Sequence, residues 1–204
     1  MSAPVWERSV EVATAAQTQA LAAALGAELR AGDLLVLTGE LGAGKTTFTQ
    51  GLGEGLGVRA GIISPTFVLV RIHPNLPDGP RPGGPDLVHV DAYRLESAAE
   101  IDDIDLESTM DSAVTVVEWG RDRVEHLSES RLEIDLHRRL GSTPGGGHRL
   151  VPDAGTAPEV VLSFEDEDDD EPRTVVFRGY GPRWAEPPAA LPAGPAATRI
   201  QEED

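Results

Sequence analysis

Residues 33 to 57 set three kinds of sequence end to end: the apolar run Asp33-Leu34-Leu35-Val36-Leu37, the loop TGELGAGKTT, and a segment with Phe48, Leu52 and Leu56 on one helical face. An apolar run without alternation suits a strand covered on both sides, as parallel strands between helix layers are. A buried strand that passes through a glycine-rich loop into a helix predicts an α/β chain with the loop at the carboxyl end of its sheet. The helix is expected from Thr46 to about Gly57. Gly51, Gly53 and Gly55 each cost it about 1 kcal/mol against alanine, so packing rather than propensity must hold it.

Gly39-x-x-x-x-Gly44-Lys45-Thr46 fits the Walker A phosphate-binding pattern in full, in the strand-before, helix-after setting that the pattern needs. Its glycines let successive N–H groups converge on phosphate oxygens at the positive end of the helix. The expected nucleotide contacts are Gly39, Glu40, Leu41, Gly42, Ala43, Gly44, Lys45, Thr46 and Thr47. Lys45 supplies a compact ammonium for the β and γ phosphates, and the Thr46 hydroxyl is placed to ligate Mg²⁺. Lys45 is the only lysine among 17 basic residues. A planar guanidinium is too wide for a point charge inside a tight backbone cradle, which explains why arginine does not stand here.

Two further apolar runs end in an acid, Leu87-Val88-His89-Val90-Asp91 and Val114-Thr115-Val116-Val117-Glu118. In a parallel sheet such acids point into the crevice that holds the phosphate loop. Asp91 and Glu118 are therefore the catalytic candidates beside Lys45, one carboxylate holding Mg²⁺ and the other orienting or deprotonating water. Trp119 can stack on a base or cover the phosphates, with core packing as the competitor. Ser64-Pro65-Thr66 lies where phosphate-loop proteins carry a γ-phosphate sensor, so Thr66 is a candidate switch, with an ordinary turn into a strand Phe67 to Val70 as the alternative. His89 reads equally as a structural histidine or a proton carrier. Arg94 and Arg121 are weaker phosphate ligands, solvated surface being the better reading of Arg121.

The remaining pattern supports one domain over residues 1–184 with a disordered tail over 185–204. A strand over residues 9 to 13 leads into a helix with a Thr14/Gln17 capping box, Leu21, Leu25 and Leu29 on one face, and Gly32 at its end. Ser97-x-x-Glu100 caps an expected helix over 98 to 110; residues 131 to 137, 160 to 164 and 174 to 177 read as edge or antiparallel strands. Segments 74–86 and 141–158 read as insert loops, and the acidic run EDEDDDE at 165–171 as a solvated loop, with docking to a basic partner as its alternative. The formal charge of −18 argues against a generic nucleic-acid grip, so any RNA would be held by something else. Zero cysteines exclude disulfides and thiol chemistry, and five histidines without ligand spacing make no case for zinc. No signal-like start and no apolar run near the roughly 18 residues of a span point to a cytoplasmic protein with no membrane contact.

Asn-Lys-x-Asp is absent, which favours ATP over GTP, and no L-S-G-G-Q motif is present. A small-molecule kinase and a nucleotide-gated binding module with negligible hydrolysis stay open on the loop alone. GELGAGKTTF, SPTF, HVDAYRL and VEWG, in that order over residues 39 to 120, closely resemble the TsaE (YjeE) family of P-loop ATPases, with looser likeness from about 9 to 139. The resemblance implies a three-layer P-loop NTPase fold, its central sheet mainly parallel with antiparallel edge strands and flanking helices. It implies an ATPase with ATP and Mg²⁺ as cofactors, needed for threonylcarbamoyladenosine (t6A) at position 37 of tRNAs. In that family the protein acts with the TsaB–TsaD complex, which meets the tRNA, while TsaC supplies threonylcarbamoyl-adenylate. Carried onto this chain, the resemblance gives Lys45 to the phosphates, Thr46 to Mg²⁺, Glu118 a Walker B-like role, Asp91 a place in the catalytic region, and Trp119 one beside the nucleotide.

Overall fold

A computed structural model describes residues 3–95, 97, 100–101, 104–138 and 171–192. The strand expected at residues 160 to 164, the loop 141–158 and all of the acidic run except Glu171 lie outside these. Seven strands form one sheet: β1 (Trp6–Val12), β2 (Leu34–Thr38), β3 (Val70–His73), β4 (Asp86–Asp91), β5 (Ala113–Glu118), β6 (Arg131–Arg138) and β7 (Arg173–Tyr180), in the order β1-β7-β6-β2-β5-β4-β3. Pairings β6–β2, β2–β5 and β5–β4 are parallel; β3, β7 and β1 join antiparallel at the margins. This is the expected α/β sheet, but β6 is interior rather than an edge.

The apolar runs of β2, β4 and β5 are buried on both faces. Leu35, Leu37, Leu87, Val114 and Val116 join one core with helices α1 (Ala15–Glu28) and α2 (Lys45–Leu56). Leu34, Val36, Val88, Val90 and Val117 join the other, covered by Leu95, Ile101, Leu106, Met110 and Val124. Of the helix expected over 98 to 110, Glu100 and Ile101 are helical, with Ser97 Oγ accepting from Glu100 N at 3.4 Å, but a turn at 104–106 separates them from the single turn α3 (Glu107–Met110); residues 98, 99, 102 and 103 lie outside the described residues. The strand expected from Phe67 begins only at Val70, because Val68 and Leu69 N–H groups turn back to Pro65 O.

Thr14 caps α1 through Gln17 N at 3.2 Å, and Gln17 Oε1 reaches back to Ala13 N at 2.7 Å, one residue before the cap. The helix stops at Glu28 rather than at Gly32, which instead takes φ 90° in the turn before β2. The glycines of α2 find their reason in α1. A Cβ on Gly51 would lie 2.3 Å from Gln19 O, one on Gly55 2.0 Å from Ala23 O, and one on Gly26 of α1 2.5 Å from Leu52 O. Backbones at that separation exclude any side chain, so close approach compensates the helix propensity lost.

Beyond β2 the second face carries ions instead of apolar cover. Arg131, Glu133 and Asp135 of β6 are buried, joined by Arg131 Nε to Glu133 Oε1 at 2.9 Å and Arg178 Nη1 to Asp135 Oδ2 at 2.6 Å. The tail expected to be disordered from residue 185 packs as far as the described chain runs, to 192. Trp184 and Leu191 are buried, Glu28 accepts from Ala189 N and Ala190 N, and Arg183 pairs with Asp33 at 2.7 Å. The 74–86 insert is a loop as expected, docked by Asn75 Nδ2 on Leu56 O at 2.9 Å and Leu76 N on Gly57 O.

Two stability effects follow. Gly55→Ala is expected to destabilise by about 2 kcal/mol or more in denaturant unfolding, opposite in sign to its helix propensity, because overpacking against backbone cannot relax. Gly53→Ala, whose Cβ would meet side chains rather than backbone, the tip of Ile62 and a methyl of Val58, should stay within about 1 kcal/mol of the parent. Burial, then His89 and Arg71, hold the pKa of His73 below 6.5. The unfolded chain then binds more protons between that lowered value and 6.5, so this contribution is lost as pH falls through the window and is complete above it. Melting curves of His73→Leu from about pH 7.5 to about pH 5 should show a shallower acid-side loss than the parent.

Candidate nucleotide site

Because β2, β5 and β4 run parallel in register, their carboxyl ends meet: Leu37 stands beside Glu118, and Glu118 beside Asp91. The chain leaves β2 at Thr38 and winds through the loop into α2, whose N-cap Gly44 has φ 98°, a left-handed geometry that glycine takes without strain. Gly44 also has no side chain to cap the helix, so the first-turn N–H groups of Lys45, Thr46 and Thr47 have no intrahelical acceptor. Gly39 is required by space, since a Cβ there would lie 2.6 Å from Leu136 O.

The resulting cleft, about 440 Å³, is lined by Leu41, Gly42, Gly44, Lys45, Thr46 and Thr47 from the loop and helix, by Asp91, Glu118 and Trp119 from the strand ends, and by Ser64, Thr66 and Tyr93. Lys45 is buried, its Nζ donating to Gly39 O at 2.8 Å and Glu40 O at 2.9 Å. Burial lowers its pKa, while Glu118 and Asp91 act in the opposite direction. Trp119 has φ 62°, uncommon for a non-glycine residue, and this turns its ring over Lys45 with 4.0 Å from Nζ to the ring centroid. Tyr93 meets Trp119 edge-on at 5.4 Å.

The two acids have different company. Glu118 Oε1 accepts from Thr46 Oγ1 at 3.2 Å and lies 2.8 Å from His89 Nε2. Asp91 Oδ2 accepts from Ser64 Oγ at 3.0 Å and from Thr66 Oγ1, and its Oδ1 accepts from Tyr93 N at 2.9 Å. Asp91 thereby ties the 64–66 turn to the sheet, and Glu118 ties the first residues of α2.

A phosphate group with a divalent cation fits this donor set. The open N–H groups at the start of α2 and the Lys45 ammonium favour an anion. Lys45 alone does not neutralise Asp91 and Glu118, so a polyphosphate needs a cation to enter with it. Thr46 gives its hydrogen to Glu118 and keeps oxygen lone pairs for such a cation. No group of three acids or histidines that could hold a metal ion by itself exists among the described residues.

Of the residues singled out from the sequence, Gly39, Glu40 and Ala43 do not line the cleft, the first two contributing the carbonyls that hold Lys45 and Ala43 being buried. Arg94 is exposed and outside it. Arg121 also lies outside the cleft, partly exposed, and pairs with Asp135, near Glu133 at 3.7 Å. Ser64 and Tyr93 were not singled out for the site, although both lie inside the motifs that carry it. Arg138 and Arg173 left no signal at all: a Cβ on Gly42 would lie 3.2 Å from Arg138 Nη1 and one on Gly44 3.5 Å from Arg173 Nε, a proximity that only the β6–β7 pairing creates.

Known proteins resemble this chain in sequence and fold. The sequence profile of "Threonylcarbamoyl adenosine biosynthesis protein TsaE" matches residues 12–143. A curated relative from Streptomyces coelicolor, named "tRNA threonylcarbamoyladenosine biosynthesis protein TsaE", is 46% identical over 167 residues, 81% of this chain and 93% of the relative. A relative of the same name from Bacillus subtilis is 40% identical over 123 residues, 60% of this chain and 72% of the other. The crystal structure of Bacillus subtilis YdiB superposes with a TM-score of 0.57 at 28% identity, covering 88% of this chain and 89% of that one. On these matches and the shared fold, the chain belongs to the TsaE family of tRNA threonylcarbamoyladenosine biosynthesis proteins.

Proposed function

We propose that the protein is a magnesium-dependent ATPase that supports t6A formation in tRNA by acting with the TsaB–TsaD complex. The observation that carries this reading is the convergence of Lys45, Thr46, Asp91 and Glu118 on one cleft at the carboxyl ends of three parallel strands. In it the phosphates of ATP lie along residues 39–47, with Lys45 on the β and γ groups. A bound Mg²⁺ would lower the charge on the phosphates, held by Thr46 with Glu118 behind it. Asp91 then orients the attacking water, and Thr66, released from Asp91, becomes the segment that senses the γ phosphate.

Trp119 and Tyr93 shield the phosphates on the strand side, and low local polarity strengthens the field of Lys45 there. The formal charge of −18 leaves tRNA to the partner complex, so this chain acts through protein contacts rather than through an RNA grip of its own. No described helix is long and apolar enough to cross a membrane. A reducing cytoplasm, where tRNA is modified, is the compartment this reading assigns.

Reconstitution with TsaB, TsaD and TsaC tests the reading. Multiple-turnover t6A formation should fall at least about tenfold when this protein is omitted or replaced by Lys45→Ala, since the ammonium supplies transition-state charge worth several kcal/mol. Turnover unchanged by the omission would sink the claim. Phosphate release should rise when the TsaB–TsaD complex is added. Glu118→Ala should lose Mg²⁺-dependent turnover by a larger factor than Asp91→Asn loses nucleotide affinity, measured by phosphate release and by equilibrium titration. A Glu118→Ala protein as active as the parent would contradict the metal role.

A further inference from the structure

His89 sits in the middle of β4, two residues before Asp91, with no exposed surface. Its strand neighbours Val88 and Val90 show what the position would hold if packing alone mattered. Burying an imidazole costs free energy unless its polar atoms are paired. Here one is paired and one is not: Nε2 lies 2.8 Å from Glu118 Oε1, while Nδ1 is buried with no hydrogen-bond partner among the described residues. An ionised carboxylate can only accept, so Nε2 carries the proton.

That bond lands on a particular oxygen. Oε1 of Glu118 also accepts from Thr46 Oγ1, so the carboxylate is gripped from the sheet side by His89 and from the helix side by Thr46. Glu118 has an alternative. Its charge acts on Lys45, and a carboxylate freed on the sheet side would turn toward that ammonium and occupy the group needed by the phosphates. His73 packs behind, its ring centroid 6.3 Å from that of His89, and closes the position against water.

We propose that His89 is a positioning residue: its Nε2–H fixes Glu118 on Thr46, leaving Lys45 for phosphate and the Thr46 oxygen for the cation. This rests on the magnesium–nucleotide reading of the cleft. His89 itself touches neither nucleotide nor metal and acts only through Glu118. Partners of this kind that orient a metal-site group are worth about 10- to 100-fold in metal affinity or activity.

The test compares the parent, His89→Leu, which keeps bulk without a donor, and His89→Gln, which restores an N–H donor. Mg²⁺ titrations of binding to a fluorescent ATP analogue, together with phosphate release, should show His89→Leu needing about tenfold more Mg²⁺ and turning over about tenfold more slowly. Binding of the analogue without Mg²⁺ should weaken as well, because a Glu118 turned onto Lys45 competes with the phosphates, and His89→Gln should recover most of both losses. Equal impairment of both variants, tracking their melting temperatures, would overturn the proposal in favour of a packing role. A His89→Leu protein indistinguishable from the parent would overturn it too. Nitrogen-15 imidazole spectra of the nucleotide-free protein separate this from the site reading: a protonated His89 Nε2 whose resonance moves in Glu118→Gln is expected. An Nε2 without a proton defeats the inference even if ATP binds, whereas a parent protein with the expected spectrum but no Mg²⁺-dependent binding defeats the nucleotide reading and the inference that rests on it.

Discussion

The site depends on the parallel register of β2, β5 and β4. Parallel strands place their carboxyl ends on one side of the sheet, so residues far apart in sequence come to one edge without any loop having to carry them. Leu37 beside Glu118 and Glu118 beside Asp91 are consequences of that register, and a shift by one residue would turn every one of these side chains to the opposite face. The continuous apolar runs resist such a shift because both faces are filled, by α1 and α2 on one side and by Leu95, Ile101, Leu106, Met110 and Val124 on the other.

The phosphate loop depends in turn on α2, a helix with poor intrinsic propensity. Gly51 and Gly55 let α2 lie against the backbone of α1, and this contact holds the start of α2 where its N–H groups face the cleft. Residues that weaken the helix in isolation therefore anchor it in the fold. The arrangement around Glu118 and Asp91 shows the same division. Glu118 has one oxygen, Oε1, committed to donors on α2 and β4, and Asp91 has both oxygens committed, to the 64–66 turn and Tyr93 N. The cleft is organised by hydrogen bonds that a nucleotide would have to redistribute.

Much of this was legible in the chain because the signals are local. The loop pattern, its single lysine, the capping box at Thr14, and the acids closing two apolar runs each lie within about ten residues, where backbone geometry and side-chain period act directly. The misreadings have local causes as well. SPTF looked like the entry to a strand, yet the N–H groups of Val68 and Leu69 fold back on Pro65 O. The helix expected at 98 to 110 has its cap and is helical at Glu100 and Ile101, but a turn at 104–106, where Asp105 takes φ 56°, separates these from α3.

What the sequence by itself determined is the donor set of the loop: glycines, one ammonium and one hydroxyl at a fixed spacing that suits a phosphate group. It also determined which strands are buried on both faces, since no alternating strand could hold those apolar runs. Tertiary structure alone decided that His89 stands behind Glu118, that Arg138 and Arg173 lie under Gly42 and Gly44, and that Arg183 closes on Asp33 from the far end of the chain. Those pairings come from strand order and side-chain direction, summed over the whole sheet, and no short window of sequence carries either.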